Sequence, residues 1–279
     1  HQMLGAAIVH PDLKEVPPLA PEPIRNDDGA EKNDCERNAS KRLIEDLRRE
    51  HPHMKAIIVE DSLASNGPHV KTLMENDFRF MHGAKPKDHE LPLSWFKASG
   101  TRETWERRDR KTGALQRFDW DCGLPLNDAH FGLKVNMPEY VETSRRGKTT
   151  TFTWVTDLPL DRTTVRAVMR CARRRWAIEN ETFKTLKSGD MYSFEHNYGH
   201  GNNHLCDVFG LLAMLAFLVD QIQRHCCGLF GRALKHQERS LYLWDDLRDL
   251  VRRFAFPDWE TLYRALAGEV GFVLVRDGP

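Results

Sequence analysis

The sequence predicts an α/β chain in which a layer of strands and helices is interrupted by an antiparallel β-rich stretch and followed by a helical tail. Three observations carry this. Short apolar runs of strand type alternate with helical periodicity over the first 76 residues. Alternating residues and turn signals such as KTG and RRGK crowd residues 77–157. Beyond about Thr163 the apolar spacing is again helical. The expected organisation is therefore 1–76, first part of the α/β core; 77–157, β-rich insertion; 158–222, last part of the core; and 223–279, helical extension.

In order, LGAAIVH (4–10) reads as a strand and VPPLAPEPI as a proline-broken edge strand. KNDCERNASKRLIEDLRREHP reads as a helix capped by Asn33 or Asp34, with Ala39, Leu43 and Leu47 on one face. KAIIVED (55–61) is a strand, and SNGPHVKTLMEND starts a helix with Asn66 or Gly67 near its cap and Pro68 in its first turn. Trp95, Trp105, Trp120 and Trp154 are expected to form the small core of the insertion, and SRRGK (144–148) a hairpin tip. A long helix is expected from Thr163 to Lys187, capped by Asp161 or Thr163 and stopped by Gly189. SLYLWDDLRDLVRRF supplies helical periodicity in the tail.

Of the 279 residues, 40% are hydrophobic and 29% charged, enough for a sizeable core, and the formal net charge is zero. A charge balance of this kind excludes a global basic field, so any surface for nucleic acid must be local. The six cysteines show no CxxC pair, which fits free thiols in a reducing cytosol. The longest apolar run, VFGLLAMLAFLV (208–219), is too short to span a bilayer and reads as a core helix. The start at His-Gln-Met, in the lead-in to a strand, suggests a piece of a longer protein.

Two acids stand out. At roughly 100° per residue, Val168, Ala172, Trp176, Phe183 and Leu186 share one face of the long helix, and Glu179 falls in the middle of that stripe. A lone buried carboxylate is costly, so Glu179 either pairs with Arg175 one turn earlier or meets a metal cation. Asp61 comes at the carboxyl end of a strand, where open α/β sheets place their chemistry; it also fits a simple helix-entry aspartate. Its neighbour Glu60 points to the other face of the strand.

These pieces, in this order, resemble the DDE transposases of bacterial insertion sequences, which have a ribonuclease-H-like catalytic fold with a β-rich insertion before the last acid. IIVEDSLASNGPHV resembles the segment around the second catalytic aspartate. FTWVTDLPL and then RRRWAIENETFKTLK resemble the approach to the catalytic glutamate, with Arg175 and Glu179 at the spacing of the family's tyrosine, arginine, glutamate and lysine signature. SFEHNYGHGNNHL is similar to the stretch after that helix. Three departures accompany the likeness. Ala172 stands at the signature tyrosine position, and the strand bearing the family's first aspartate is not in this chain. Glu179 and Lys187 have seven residues between them, one more than usual, which swings Lys187 about 80° around a regular helix; a local bulge or a 3₁₀ last turn would correct this.

The resemblance implies a ribonuclease-H-like mixed sheet and a bacterial cytoplasmic, nucleoid-associated enzyme. It further implies metal-dependent DNA cleavage and strand transfer, with Asp61 and Glu179 as catalytic metal ligands and two Mg²⁺ (or Mn²⁺) ions in the complete enzyme. Arg175 and Lys187, and more weakly Lys184, would hold DNA phosphates. The implied partners are double-stranded transposon ends and target, with a homodimer in the synaptic complex. Lacking the first aspartate, the chain is expected to be inactive by itself; Asp12 reads as a turn and Asp34 as a cap. The alternatives are a non-catalytic DNA-binding remnant and a host nuclease of the same fold. His196, His200, His204 and Cys206 raise a zinc reading, set against a structural loop broken by Gly199 and Gly201.

Overall fold

The computed structural model describes residues 2–24, 35–188, 191–192, 194–195 and 204–271. The chain divides into two compact units, one of residues 24–176 and one of 3–23 with 177–279. This division falls inside the segment expected to be one long helix.

In the first unit, α1 (Glu36–Glu50) buries the predicted Ala39, Leu43 and Leu47, with Ile44 beside them. Its N-cap is Cys35, which makes no side-chain cap bond; the expected caps Asn33 and Asp34 lie outside the described residues. Arg48 ties the end of α1 to the chain ahead of the next strands. It donates to the carbonyls of Asn76 (2.7 Å), Pro52 (2.9 Å) and Asp77 (3.0 Å) and lies over the Phe78 ring. β3 (Ile57–Glu60) leads through a short 3₁₀ turn into α2 (Gly67–Glu75). The Asn66 side chain caps α2 by accepting from the His69 N–H at 3.1 Å, with Pro68 in the first turn as its fixed φ favours.

β4 (Arg79–Gly83) then pairs parallel to β3, as a strand–helix–strand crossover requires. After α3 (Glu90–Ala98) come β5 (Glu103–Arg108), β6 (Leu115–Pro125), β7 (Lys134–Thr143) and β8 (Thr149–Thr156), all antiparallel neighbours. β8 also pairs antiparallel to β4, so one mixed sheet of six strands runs β3-β4-β8-β7-β6-β5. The strands expected as an insertion thus continue the sheet that carries Asp61. SRRGK forms the β7–β8 tip, where the Ser144 N–H donates to Lys148 O at 2.8 Å and Gly147 takes φ +79°, a conformation that L side chains resist.

α4 (Val165–Arg173) lays Val165, Met169 and Ala172 against a core of Met81, Phe118, Trp120, Tyr140 and Trp154. Trp105 packs on that core from the partly buried layer. Trp95 does not belong to it: it is 45% exposed and meets Phe131 edge-on, because α3 turns Leu93 and Phe96 inward instead.

β1 (Gln2–Leu4) and β2 (Glu22–Ile24) form a two-stranded ribbon, and residues 3–23 belong to the second unit. The strand expected over residues 4–10 stops early, leaving a single bridge between Ala7 and Pro18. The facing segment carries Pro17 and Pro18, which have no N–H to donate, so the ladder cannot extend. α6 (Leu205–Cys226) buries Gly210, Met214, Phe217, Asp220 and Gln221 and leaves Leu211, Leu212, Leu215, Val219 and Ile222 exposed. Among the described residues the expected core helix is therefore covered on one stripe, and by length and composition alone it is apolar enough to cross a bilayer. Gly210 admits Met3, whose Cε would lie 2.8 Å from an added Cβ. α7 (Gly228–Gln237), α8 (Ser240–Arg253) and α9 (Trp259–Leu266) enclose a second core of Phe230, Leu243, Leu262, Tyr263 and Leu266.

Candidate functional site

Asp61 ends the extended run of β3 and is exposed. Its Oδ1 accepts from the Leu63 N–H at 2.9 Å and so caps the 3₁₀ turn Ser62–Ala64, while Oδ2 takes no part in the cap. The local reading, a helix-entry aspartate, is thus present together with an oxygen open to another ligand.

The segment expected as one helix from Thr163 to Lys187 is not regular. Asp161 accepts from the N–H groups of Thr163 (2.6 Å) and Thr164 (2.8 Å) ahead of α4, and the α pattern lapses in a turn at Arg174 and Arg175. The buried register then moves by one residue: Trp176, expected inside, is 54% exposed, and Ala177 is buried in its place. Residues Ile178–Phe183 form a π-helix, followed by α5 (Lys184–Lys187). Ala177, Thr182 and Leu186 are the buried positions, five and then four residues apart, which is the burial signature of a π turn entering an α turn. Glu179 lies in the first turn of the π-helix and is half-buried rather than central to a core stripe. Gly189 lies outside the described residues.

The basic side chains fall as follows. The Arg175 guanidinium sits 4.7 Å from the centre of the Trp176 ring. Lys187 is exposed and pairs with Glu195, Nζ to Oε1 at 2.7 Å; Lys184 is exposed and reaches Asn180 Oδ1 at 3.5 Å. Asp61 and Arg175 belong to the 24–176 unit; Glu179, Lys184 and Lys187 belong to the other. His196 and His200 lie outside the described residues; His204 Nδ1 is 3.5 Å from Asp207.

The structure also assembles a group that the sequence does not single out. Glu60, one residue before Asp61, turns to the opposite face of β3 and meets two imidazoles. Its Oε2 lies 2.7 Å from His69 Nε2 and 3.2 Å from His82 Nε2. Burial would raise the Glu60 carboxyl, but the imidazoles of His69 and His82 beside it bring it down to about 2. His82 is wholly buried; its Nδ1 has no hydrogen-bond partner among the described residues, and its Nε2 meets Glu60 at ion-pair distance without the alignment of a directed hydrogen bond. The parallel register that sets Glu60 opposite His82 is a long-range pairing, so no local pattern announces the cluster. No family model and no curated protein matches this chain.

Proposed function

We propose that this chain carries two of the catalytic acids of a DDE-type transposase with a ribonuclease-H-like catalytic core, a class of enzyme that cleaves and joins DNA strands with divalent metal. The observation that carries the reading is the π-helix Ile178–Phe183. The spacing from Glu179 to Lys187 exceeds the family's by one residue, and a π turn absorbs one extra residue without breaking the helix. With that residue absorbed, Lys187 returns to within about 20° of Glu179 around the axis, where a regular helix would leave it about 80° away. π turns of this kind inside α-helices are frequent at functional sites.

Two further features support the reading. Asp61 is an exposed carboxylate at the carboxyl end of a strand, beside the helical turn it caps. Its strand β3 is the edge of the six-stranded sheet, so a further strand has backbone to pair with there. Asp61 and Glu179 each supply hard oxygen donors, the class that suits Mg²⁺. Bound Mg²⁺ would activate water or a DNA 3′-hydroxyl for in-line attack on a phosphodiester. Arg175 and Lys187 would bind backbone phosphate, Lys187 after leaving Glu195. Two acids do not complete the family's set, so the chain alone is proposed not to cleave.

The test is Mg²⁺-dependent nicking of supercoiled DNA by the product of the whole reading frame, with its flanking DNA sequenced. Nicking abolished by Asp61→Asn and by Glu179→Gln, with inverted repeats outside the frame, is the expected result. Salt-sensitive DNA binding with no cleavage by the whole frame would overturn the enzyme in favour of a DNA-binding remnant.

A further inference from the structure

Glu60, His69 and His82 present one ligand atom each, all within 4.8 Å of one another, from three different elements. Each is held by backbone structure: Glu60 by the last pair of β3, His82 by the matching position of β4, and His69 by the first turn of α2, where its N–H donates to the Asn66 cap. Such a constellation is fixed before any ligand arrives, which is what a metal site requires.

A network of Glu–His hydrogen bonds explains only part of it. His69 Nε2 is satisfied by Glu60 at 2.7 Å. His82 is less well satisfied: it is 0% exposed, its Nδ1 has no hydrogen-bond partner among the described residues, and its Nε2 lies at ion-pair distance from Glu60 Oε2, 3.2 Å, without the alignment of a directed hydrogen bond. Buried polar groups in native proteins are nearly always partnered, so a wholly buried imidazole that meets a carboxylate without a directed hydrogen bond has room for a further ligand between them. Bonds of about 2.0–2.2 Å in a tetrahedral site set ligand atoms roughly 3.3–3.6 Å apart, so the pair to His82 is already close to that spacing. The pair to His69 needs to open by a little over half an ångström, roughly, to reach it, and the two imidazole nitrogens, held within 4.8 Å of each other, to draw together around the ion.

We infer that Glu60, His69 and His82 form a site for a divalent transition-metal ion, Zn²⁺ foremost, separate from the Mg²⁺ chemistry proposed for Asp61. Two imidazoles and one carboxylate are the donor set of Zn²⁺ and its neighbours, whereas Mg²⁺ prefers oxygen alone. The ion fastens the end of β3, the start of α2 and β4 to one another. Because Glu60 immediately precedes Asp61, it also holds the turn on which Asp61 sits. The inference rests on this geometry and stands whether or not the chain acts on DNA.

The test is titration of Zn²⁺ into the purified, chelator-stripped chain by calorimetry, with zinc-edge X-ray absorption on the loaded protein. One equivalent is expected, with two imidazoles in the first coordination sphere. Glu60→Gln and His69→Ala are each expected to weaken binding by roughly tenfold or more, the lower bound being what loss of a supporting residue alone costs. Asp61→Asn and His204→Ala are expected to bind like the parent. No bound zinc, a sulfur-containing coordination sphere, or a loss of binding in His204→Ala rather than Glu60→Gln would overturn the site. The absorption result on the parent protein decides the matter even if a variant fails to fold.

Discussion

Glu60 and His82 occupy matched positions in the parallel register of β3 and β4, with Glu60 Oε2 3.2 Å from His82 Nε2. Twenty-one intervening residues, including all of α2, separate them in the chain. The pairing joins a charged acceptor to a buried imidazole next to the aspartate proposed for catalysis, and its energetics can be tested without metal.

In chelator-treated protein, Glu60→Gln removes the charge on which His69 and His82 converge. A hydrogen bond to a charged group contributes about 1.5–3 kcal/mol, and a loss of that size is expected. Urea unfolding followed by circular dichroism measures it. Unchanged stability would show that the carboxylate contributes nothing to the fold of this unit.

Asp220 gives the helical unit a pH dependence. Burial holds its carboxyl up at about 7, against an ordinary 3.8, partly opposed by Arg224. The Tyr192 hydroxyl donates to it. Because the folded state binds the proton more tightly than the unfolded state, its contribution is fully present below about pH 4 and is lost as pH rises through about 7. The slope in that window approaches 1.4 kcal/mol per pH unit, roughly, for one proton. The protection of α6 amides, taken relative to the intrinsic base-catalysed exchange rate, should therefore fall between these pH values. Asp220→Asn should flatten the profile; a variant with the parent's slope would assign it to another group.

The two tryptophans that the sequence placed in one core should respond differently. Trp120 is 2% exposed and Trp95 45%. Trp120→Ala is expected to cost about 3–5 kcal/mol through the cavity it leaves. Trp95→Ala should stay within about 0.5 kcal/mol, as surface changes do. Equal losses in chemical denaturation would contradict the placement of α3.

Deletion of Asn180 tests the π turn directly. Asn180 is exposed, and removing it gives Glu179 and Lys187 the family's spacing on a regular helix. Helicity by circular dichroism should be preserved, and in the whole reading frame nicking should survive. Glu179→Gln, by contrast, should reduce nicking by roughly a hundredfold or more, the scale of losing one electrostatic stabiliser. Loss of activity on deletion would mean that the π geometry itself, not the restored spacing, places Glu179.

What the sequence determined by itself is local. The face of α1, the Asn66 cap with Pro68 behind it, the KAIIVED strand and the SRRGK tip all follow from neighbours within one or two turns, where propensity and capping act. Asp61 and Glu179 were legible as unusual acids for the same reason. Tertiary structure decided the rest. The one-residue shift that exposes Trp176 and buries Ala177 depends on where the π turn is tolerated, which a uniform 100° periodicity cannot encode. The early end of β1 depends on prolines in its partner, and the Glu60–His69–His82 cluster on a parallel register across a crossover. Such pairings are set by packing between distant segments, and they carry no periodicity that either segment displays alone.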